Sequence, residues 1–304
     1  MPDWELIISD NISTDESPAI AQRYAQQDRR IKFFRNDVHV SAVENFNLCY
    51  ERIDPKSTYV ALLASDDWWA PTFLSRTTSI GDQYPHLAIV HTEMYRADTN
   101  GTIINLYSEL YPHNTPQEGF HQSAHAILYG TFINIMAAII RRSLKENIYP
   151  SEHLLDPQLP LTPDYDLWVQ LMIRGAEAYY IKEPLGYYRR HDGSMTSPER
   201  IIHRLQGELH TLTTKLDGVC PPELEEGRRD AIQQRLASIG FELLSRNEPA
   251  EALDYLRQSH IMGNWKRLDV LVARILASLP CPAQCHSKIW HALLDMGRLL
   301  GRTA

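Results

Sequence analysis

Two adjacent carboxylates, Asp66 and Asp67, are the side chains whose types and spacing point most directly to chemistry. They follow the apolar run Tyr59–Ala64, which predicts an interior strand of a parallel sheet, and ligands of such sheets bind beyond the carboxyl ends of the strands. Neighbouring carboxylates repel each other unless a cation offsets their charge, and Mg²⁺ or Mn²⁺ prefers oxygen donors. The pair therefore predicts a divalent metal site. A solvated acidic turn is the structural alternative that this motif alone leaves open.

Three other groups of polar residues stand where a site could use them. Asp10 and Asn11 end the first apolar segment, although polar residues there are also typical of a helix cap. Asp164 and Asp166 begin a segment with helical spacing. His191 follows two arginines and suits either metal binding or a structural role. Taken singly, each group has a structural explanation.

Two tryptophans, Trp68 and Trp69, follow the acidic pair. An aromatic face suits the wall of a sugar site, but a large apolar ring also contributes strongly to a core. We predict core packing for at least one of them.

The elements that must position these groups alternate between short apolar runs and helical spacing. From Trp4 to Tyr84 the pattern is β-α-β-α-β, which implies a parallel sheet with helices on its faces. An Asn100-Gly101 turn then joins two strands into a hairpin, and a helical segment around Leu167 stops at Gly175. The predicted fold class is therefore α/β, with the acidic groups at the ends of strands or helices.

Residues from 198 onward have a different character. They have helical spacing interrupted by short breaks, and the segment Phe241–His260 predicts one helical hairpin of tetratricopeptide type. We expect residues 1–197 to form the α/β domain and residues 198–304 to form an α-helical region. Amphipathic helices of this kind fit docking on the domain, partner binding or dimerisation.

The composition limits the classes of function. The 304 residues include 38 acidic and 30 basic side chains, and the formal charge of -8 argues against a general binder of nucleic acid or anionic membranes. Four scattered cysteines favour a reducing compartment over a disulfide framework. The longest apolar stretch, near Ile135–Ile140, is far too short to cross a membrane. We expect a cytoplasmic protein, for which peripheral membrane association remains open.

A cluster near the end of the chain suggests a zinc hypothesis. Cys281, Cys285, His286 and His291 are residue types that commonly bind zinc. Their spacing matches none of the common zinc-finger patterns, so packed or solvent-facing side chains are the simpler interpretation.

Four segments, in one order, resemble family-2 glycosyltransferases of the GT-A fold. The segment WELIISDNISTDES is similar to the family's nucleotide-binding turn, and LLASDDWWAPTFL is similar to its metal-binding aspartate motif. PDYDLWVQLMIRG is similar to the family's acidic motif at a helix start, and YYRRHDGSMT to its His-x-x-Ser-x-Thr segment. The resemblance covers residues 3–197 and implies a Rossmann-like, mainly parallel sheet with flanking helices.

The resemblance also implies a reaction and the residues for it. The residues implied to bind a nucleotide-diphospho-sugar are Asp10, Asn11, Asp66, Asp67 and Trp68. Binding of Mn²⁺ or Mg²⁺ is implied for Asp67 and His191. Asp164 is implied to be the general base that deprotonates an acceptor hydroxyl. The sugar would pass, with inversion, to a glycan, a lipid-linked or a protein acceptor, as in the biosynthesis of cell-surface polysaccharides.

The chain departs from the family pattern in three places. Asn11 stands where many relatives carry a second aspartate, and Pro163 stands where a glutamate usually precedes the base. The family's first strand and helix precede the segment that matches Trp4, which here begins almost at Met1. We expect an N-terminally truncated form of a longer enzyme, in which neighbouring strands lack a partner. A degenerate relative with impaired binding is the alternative.

Two rival functions come from other classes. A non-catalytic, glycosyltransferase-like module whose helical tail binds a partner fits the missing first strand, whereas the retained aspartates favour catalysis. A nucleotidyltransferase of similar architecture would need a glycine-rich phosphate loop near the first strand, and the sequence shows none there.

Overall fold

The computed structural model describes residues 3–110, 116–191 and 198–261. The chain divides into two compact units, Met1–Ser194 and Met195–Ala304. The predicted zinc cluster between Cys281 and His291 lies outside the described residues.

The first unit begins with the expected alternation of strands and helices. In chain order these elements are β1 (Leu6–Asp10), α1 (Ser17–Gln27), β2 (Ile31–Arg35), α2 (Ala42–Glu51) and β3 (Tyr59–Ala61). β1 and β2 pair in parallel, from Leu6 opposite Ile31 to Asp10 opposite Arg35. Among the described residues these two strands form a sheet of their own.

A mixed sheet of seven strands forms the larger layer of this unit. Its strands are β3, β4 (Trp68–Trp69), β5 (Ile89–Ala97), β6 (Ile103–Leu106), β7 (Gly119–His121), β8 (Ala138–Arg141) and β9 (Ala178–Arg189). The helices between these strands are α3 (Phe73–Gln83), α4 (Ala124–Leu128), α5 (Arg142–Ile148) and α6 (Pro163–Met172). The hydrogen-bonded order is β3-β8-β5-β9-β4, with β6 on β5 and β7 on β9. β5 and β9 are parallel, and the other pairs are antiparallel.

Two local predictions are confirmed. β5 and β6 form the expected hairpin, and Gly101 in its turn has a φ of 85°, which glycine adopts without steric cost. α6 ends at Met172, and Gly175 follows with a φ of 85°. The strand expected before the acidic pair is shorter than its apolar run, because the chain turns at Ala64, whose oxygen accepts from the N–H of Asp67.

β1 and β3 begin close together without pairing as strands. The Glu5 carboxylate accepts hydrogen bonds from the backbone N–H of Asp54 and from Ser57 Oγ, both just before β3. The parallel arrangement expected from the sequence is therefore present between β1 and β2, whereas β3 pairs with β8. Alternation of strands and helices does not by itself specify which strands become neighbours.

The core of the first unit holds α6 firmly. Trp168 is 0% exposed and Tyr165 is 1% exposed. Trp168 Nε1 donates to the backbone oxygen of Ile133, and Tyr165 Oη donates to that of Leu128. Both buried polar groups are thus satisfied, and α6 is fixed against α4 and the segment before β8.

The described part of the second unit is helical. α7 (Ile201–His210) continues into a π-helical turn, Thr211–Lys215, and α8 (Glu225–Ser245) and α9 (Pro249–Ile261) follow. α8 and α9 pack as a hairpin in which a Cβ at Gly240 would lie 2.6 Å from Leu256 Cγ. Its tetratricopeptide character stays a prediction. Within the described ranges, no helix is both long enough and apolar enough to span a membrane.

Candidate active site

The pair Asp66 and Asp67, called here the DD motif, lies in the loop between β3 and β4. The N–H of Asp67 donates to the oxygen of Ala64, which closes a turn that includes the motif. β4 then pairs with β9, so that Trp68 lies opposite Tyr187. Asp67 is 8% exposed, whereas Asp66 is half-buried. The loop therefore holds one of the two carboxylates away from water.

A bulge redirects β9 on its way to the DD motif. Thr92 of β5 lies opposite Ile181, and Met94 lies opposite Gly186, so β9 uses more residues than β5 over this stretch. Such a bulge bends a strand and re-aims its side chains. The N–H of Ala70 donates to the oxygen of Leu185 in the bulged stretch (2.8 Å), which ties the end of β4 to β9.

The end of β9 and the residues after it contact the DD motif directly. The backbone N–H of Arg189 donates to Asp67 Oδ1 (2.9 Å), and Arg189 Nε donates to the backbone oxygen of Asp66 (2.9 Å). His191 Nε2 lies 3.0 Å from Asp66 Oδ2. The fold thus brings together groups that are 122 to 125 residues apart in the sequence.

The charge of Asp67 is poorly balanced in this cluster. Burial is the main cause that raises the pKa of Asp67 from 3.8 to about 7. The charge of Asp66 acts in the same direction, whereas the N–H of Arg189 and the charges of Arg189 and His191 oppose it. A divalent cation beside Asp67 would offset the buried negative charge.

The donor set fits the predicted metal ion. Asp66, Asp67 and His191 offer carboxylate oxygens, which suit Mg²⁺ and Mn²⁺, and one imidazole nitrogen. Across the part of the chain that the structure describes, no three His, Cys, Asp or Glu side chains converge closely enough to hold a metal as they stand. The family resemblance implies His191 and Asp67 as metal ligands, whereas the structure places His191 Nε2 beside Asp66 Oδ2. Metal binding by His191 therefore requires this hydrogen bond to open.

The two tryptophans have different environments. Trp69 stacks on Phe73 and donates Nε1 to the backbone oxygen of Met136 (2.6 Å), so it packs in the core as predicted. Trp68 stacks on Tyr187, with ring centroids 4.9 Å apart, and the Arg189 guanidinium carbon lies 4.8 Å from its ring centroid. Trp68 therefore braces the DD motif, and its contact with a nucleotide-sugar stays a prediction.

Residues 10–15, called here the β1 turn, lie at the carboxyl end of β1. Asp10 is 7% exposed, accepts hydrogen bonds from the N–H of Ser13 (3.2 and 3.3 Å), and lies 3.4 Å from Arg35 Nε. Ile12 has a φ of 63°, in the left-handed region. A β-branched residue adopts that region only at a steric cost of about 1–2 kcal/mol. The β1 turn therefore combines a balanced carboxylate with a strained backbone.

Asn11 closes the loop that precedes α2. Its Oδ1 accepts from the N–H of Val40 (3.0 Å) and from Asn36 Nδ2 (3.1 Å), and its Nδ2 donates to the oxygen of Val40 (2.8 Å). An ionised aspartate at this position could accept the first two bonds but could not donate the third. These bonds give the amide at residue 11 a structural role, and contact between Asn11 and a nucleotide-sugar stays a prediction.

Asp164 lies in the first turn of α6 and is half-buried. Its Oδ1 accepts from the N–H of Tyr165 (2.9 Å). Asp166 is only 2% exposed and accepts from Gln170 Nε2 (3.4 Å). Of the two acidic residues, Asp164 is the better placed to meet a substrate. The structure thus groups the predicted residues into the DD motif with Trp68 and His191, the β1 turn, and Asp164 on α6.

Arg189 is the contact residue that the sequence interpretation missed. It stands two residues after Tyr187 in an extended segment, where alternate residues share one face of a strand. This period of two is the signal that could have placed Arg189 on the same face of the strand as Tyr187.

A family model for glycosyl transferase family 2 matches residues 1–146, which include the β1 turn and the DD motif. TuaG of Bacillus subtilis (strain 168), provisionally named as a teichuronic acid biosynthesis glycosyltransferase, is 26% identical over 201 residues, 64% of this chain and 71% of TuaG. EpsE of the same organism, provisionally named as a glycosyltransferase, is 28% identical over 183 residues. That alignment covers 60% of this chain and 61% of EpsE.

Two solved structures share the fold. S. aureus TarS 1-349 superposes with a TM-score of 0.57 at 16% identity, covering 98% of this chain and 82% of TarS. The mannosyltransferase PcManGT from Pyrobaculum calidifontis, solved with GDP-Man and Mn²⁺, superposes with a TM-score of 0.55 at 14% identity, covering 95% of this chain and 75% of PcManGT. The chain has the GT-A fold of these structures, and its residues 1–146 match glycosyl transferase family 2.

Proposed function

We propose that this chain is a metal-dependent, inverting glycosyltransferase that moves a sugar from a nucleotide-diphospho-sugar to an acceptor hydroxyl. The observation that carries the proposal is the convergence of Asp66, Asp67, Arg189 and His191 at the end of β9. Two carboxylates, one of them buried, are costly there unless a cation accompanies them. A metal ion that also binds a diphosphate meets that need.

Asp67 and His191 are the proposed ligands of Mn²⁺ or Mg²⁺, with Asp66 beside them. When bound, the ion offsets negative charge on the departing diphosphate. Arg189 orients the DD motif, because its backbone N–H and its side chain bond to both aspartates. The complex of PcManGT with GDP-Man and Mn²⁺ supports this class of donor and cofactor.

Asp164 is the proposed general base. Its carboxylate takes the proton of the acceptor hydroxyl while that oxygen forms a bond to the anomeric carbon, on the side opposite the diphosphate. The bond from the anomeric carbon to the diphosphate breaks, and its electron pair leaves with the nucleoside diphosphate. One displacement of this kind inverts the anomeric configuration. The tight packing of α6 keeps the base in position.

The donor's base, ribose or sugar is the proposed ligand of Asp10, Asn11 and Trp68. Asp10 supports this role because it ends a strand of a parallel pair, the place where α/β sheets bind ligands. The proposed acceptor is a glycan of a cell-surface polymer, which the name of TuaG supports. Catalysis is proposed for residues 1–197 and partner binding or dimerisation for residues 198–304. Cysteine usage supports a cytoplasmic location.

A thermal-shift titration with UDP, GDP and dTDP, each with and without Mn²⁺, tests the donor site. We expect one nucleotide to raise the melting temperature by several degrees more with Mn²⁺ than without it, because a ligand that binds only the folded state stabilises it. Equal shifts with and without Mn²⁺ would contradict the metal site.

Hydrolysis of the corresponding nucleotide-sugar, with water as the acceptor, separates catalysis from binding. We expect slow release of the nucleoside diphosphate that depends on Mn²⁺ and on Asp164. A folded chain that binds none of the three nucleotides would support the rival hypothesis of a non-catalytic module.

A further inference from the structure

Helix α2 carries two asparagines, Asn45 and Asn47, whose side chains bond to different parts of the first unit. Two positions apart on a helix of 3.6 residues per turn correspond to about 200° of rotation, so these side chains project from nearly opposite sides. One side of α2 faces β1, and the other faces the segment that leads to α6. α2 therefore lies between the β1 turn and the approach to Asp164.

Asn45 ties α2 to the strand that ends in Asp10. Its Nδ2 donates to the backbone oxygen of Ser9 (3.1 Å), and its Oδ1 accepts from Ser9 Oγ and Asn36 Nδ2, both at 2.8 Å. The same Asn36 Nδ2 also lies 3.1 Å from Asn11 Oδ1. This uncharged network connects α2 to the β1 turn.

Asn47 ties α2 to the backbone of Leu155. Its Nδ2 donates to the oxygen of Leu155 (2.7 Å), and its Oδ1 accepts from the N–H of Leu155 (2.9 Å). Asn47 is 4% exposed and Leu155 is 2% exposed, so loss of the amide would leave buried backbone groups without a partner. An amide side chain suits this position because it donates and accepts at once.

Consecutive turns connect Leu155 to the candidate base. The backbone hydrogen bonds of this segment run from Leu159 N to Asp156 O (3.1 Å), from Thr162 N to Leu159 O (3.2 Å), and from Asp166 N to Thr162 O (3.1 Å). Leu159 is also buried, at 4% exposure. Because these hydrogen bonds restrict the backbone between Leu155 and α6, we expect a shift of Leu155 to displace the start of α6 and, with it, Asp164.

We propose that Asn47 is a positioning residue for Asp164, and that α2 sets where the base stands relative to the β1 turn. This inference rests on the proposed function of Asp164 as the base. Asn45 performs the matched task on the donor side, since it bonds to Ser9, just before the β1 turn, and to Asn36, which also bonds to Asn11. One helix thereby separates two tasks: Asn47 acts on turnover and Asn45 acts on nucleotide binding.

Two single variants, Asn47→Ala and Asn45→Ala, test this division. Alanine has the highest helix propensity, so neither change weakens the helix intrinsically. The probes are the one nucleotide among UDP, GDP and dTDP that stabilises the chain with Mn²⁺, and its nucleotide-sugar with water as the acceptor. Should Asn47→Ala not fold, Asn47→Ser takes its place, because it keeps a hydroxyl near Leu155.

The two variants should affect different kinetic parameters. For Asn47→Ala we expect kcat of hydrolysis to fall by about tenfold or more, with the nucleotide Kd within about twofold of wild type. For Asn45→Ala we expect the Kd to rise by about fivefold or more, with kcat at saturation within about twofold. An unchanged kcat in Asn47→Ala, or equal losses of both parameters in both variants, would overturn the inference.

Hydrogen exchange of the ligand-free chain distinguishes failure of this inference from failure of the proposed function. In Asn47→Ala we expect faster exchange over residues 155–165 and no change in β1 and β2, and in Asn45→Ala the reverse. That pattern in a chain that hydrolyses no nucleotide-sugar would preserve the link through α2 and refute the proposed function. Faster exchange throughout the unit in both variants would overturn the link.

Discussion

The β1 turn and the DD motif both place aspartates at the ends of apolar segments, but they balance charge differently. In the β1 turn, Asp10 meets Arg35 and the N–H of Ser13, and Asn11 has partners for both its amide groups. In the DD motif, Asp67 accepts the N–H of Arg189 yet is buried strongly enough to raise its pKa to about 7. In the β1 turn the protein's own groups pair with the polar side chains, whereas in the DD motif the negative charge of Asp67 is not fully offset by the protein.

This difference indicates how the two sites would recognise a ligand. A network of satisfied hydrogen bonds defines a shape and suits uncharged groups such as a base or a ribose. Buried, poorly balanced carboxylates instead favour a ligand that brings positive charge. The β1 turn should therefore act independently of metal, whereas the DD motif should depend on it.

The largest effect is expected outside both sites, which would show that neither contains the chemical step. Asp164→Asn should lower the rate of nucleotide-sugar hydrolysis by about 10²–10⁴-fold, because the amide cannot accept the proton. Steady-state kinetics with calorimetric titration of the nucleotide should show lost turnover with unchanged affinity. Asp230→Asn, on the exposed face of α8, is the control and should have no effect. Undiminished turnover in Asp164→Asn would exclude it as the base.

Asp67→Asn tests the charge of the DD motif directly. The amide oxygen can still accept from the N–H of Arg189, so the shape of the loop is retained while the charge is lost. We expect nucleotide affinity in the presence of Mn²⁺ to fall by about 10–100-fold, and affinity without Mn²⁺ to stay the same. In the β1 turn, Asn11→Ala should weaken binding equally with and without Mn²⁺. Titration calorimetry that finds the same metal dependence in both variants would break the comparison.

The pH dependence of the stability of the metal-free chain tests whether the charge of Asp67 is poorly offset. The pKa of Asp67 is about 7 in the folded chain against an ordinary 3.8, so unfolding releases a proton between these values. The contribution of Asp67 to stability is complete below the ordinary value and is lost as pH rises through the folded value. Urea unfolding should show wild type losing about 2 kcal/mol more than Asp67→Asn between about pH 5 and 8. Parallel profiles would mean that the charge of Asp67 is already offset in the folded chain.

The smallest effect is expected from the strained backbone of the β1 turn. Ile12→Asn should raise the free energy of unfolding by about 0.5–1 kcal/mol, because asparagine tolerates a φ of 63° better than a β-branched residue does. The same replacement at Ile20, on the exposed face of α1, should lower stability by a few tenths of a kcal/mol. Thermal unfolding measures both. A destabilised Ile12→Asn would mean that its side chain contributes more through packing than its backbone costs.

Local features of the fold could be predicted from the residue pattern. The β-α-β start, the hairpin around Gly101 and the helix from Asp164 to the stop near Gly175 each depend on periodicity or turn chemistry within about a dozen residues. The apolar run ahead of Asp66 and Asp67 likewise placed the acidic pair just after a strand. These signals are local, so a single sequence contains them.

Strand neighbours could not be predicted in the same way. β3 joins β8 instead of β1, and the bulge in β9 redirects the strand whose end, at Arg189, bonds to the DD motif. Backbone hydrogen bonds between strands form with nearly any residue type, so the local pattern does not encode which pairs form. The strand that carries Arg189 was predicted, but its contact with Asp67 was not.

The sequence by itself determined which side chains are able to do chemistry: the aspartates at strand and helix ends, and His191. The tertiary structure decided their partners. His191 contacts Asp66, Asn11 closes the loop at Val40, and Asn47 holds Leu155. The physical reason is that a carboxylate, amide or imidazole can donate or accept in many settings. Only the fold decides which groups come within about 3 Å of it.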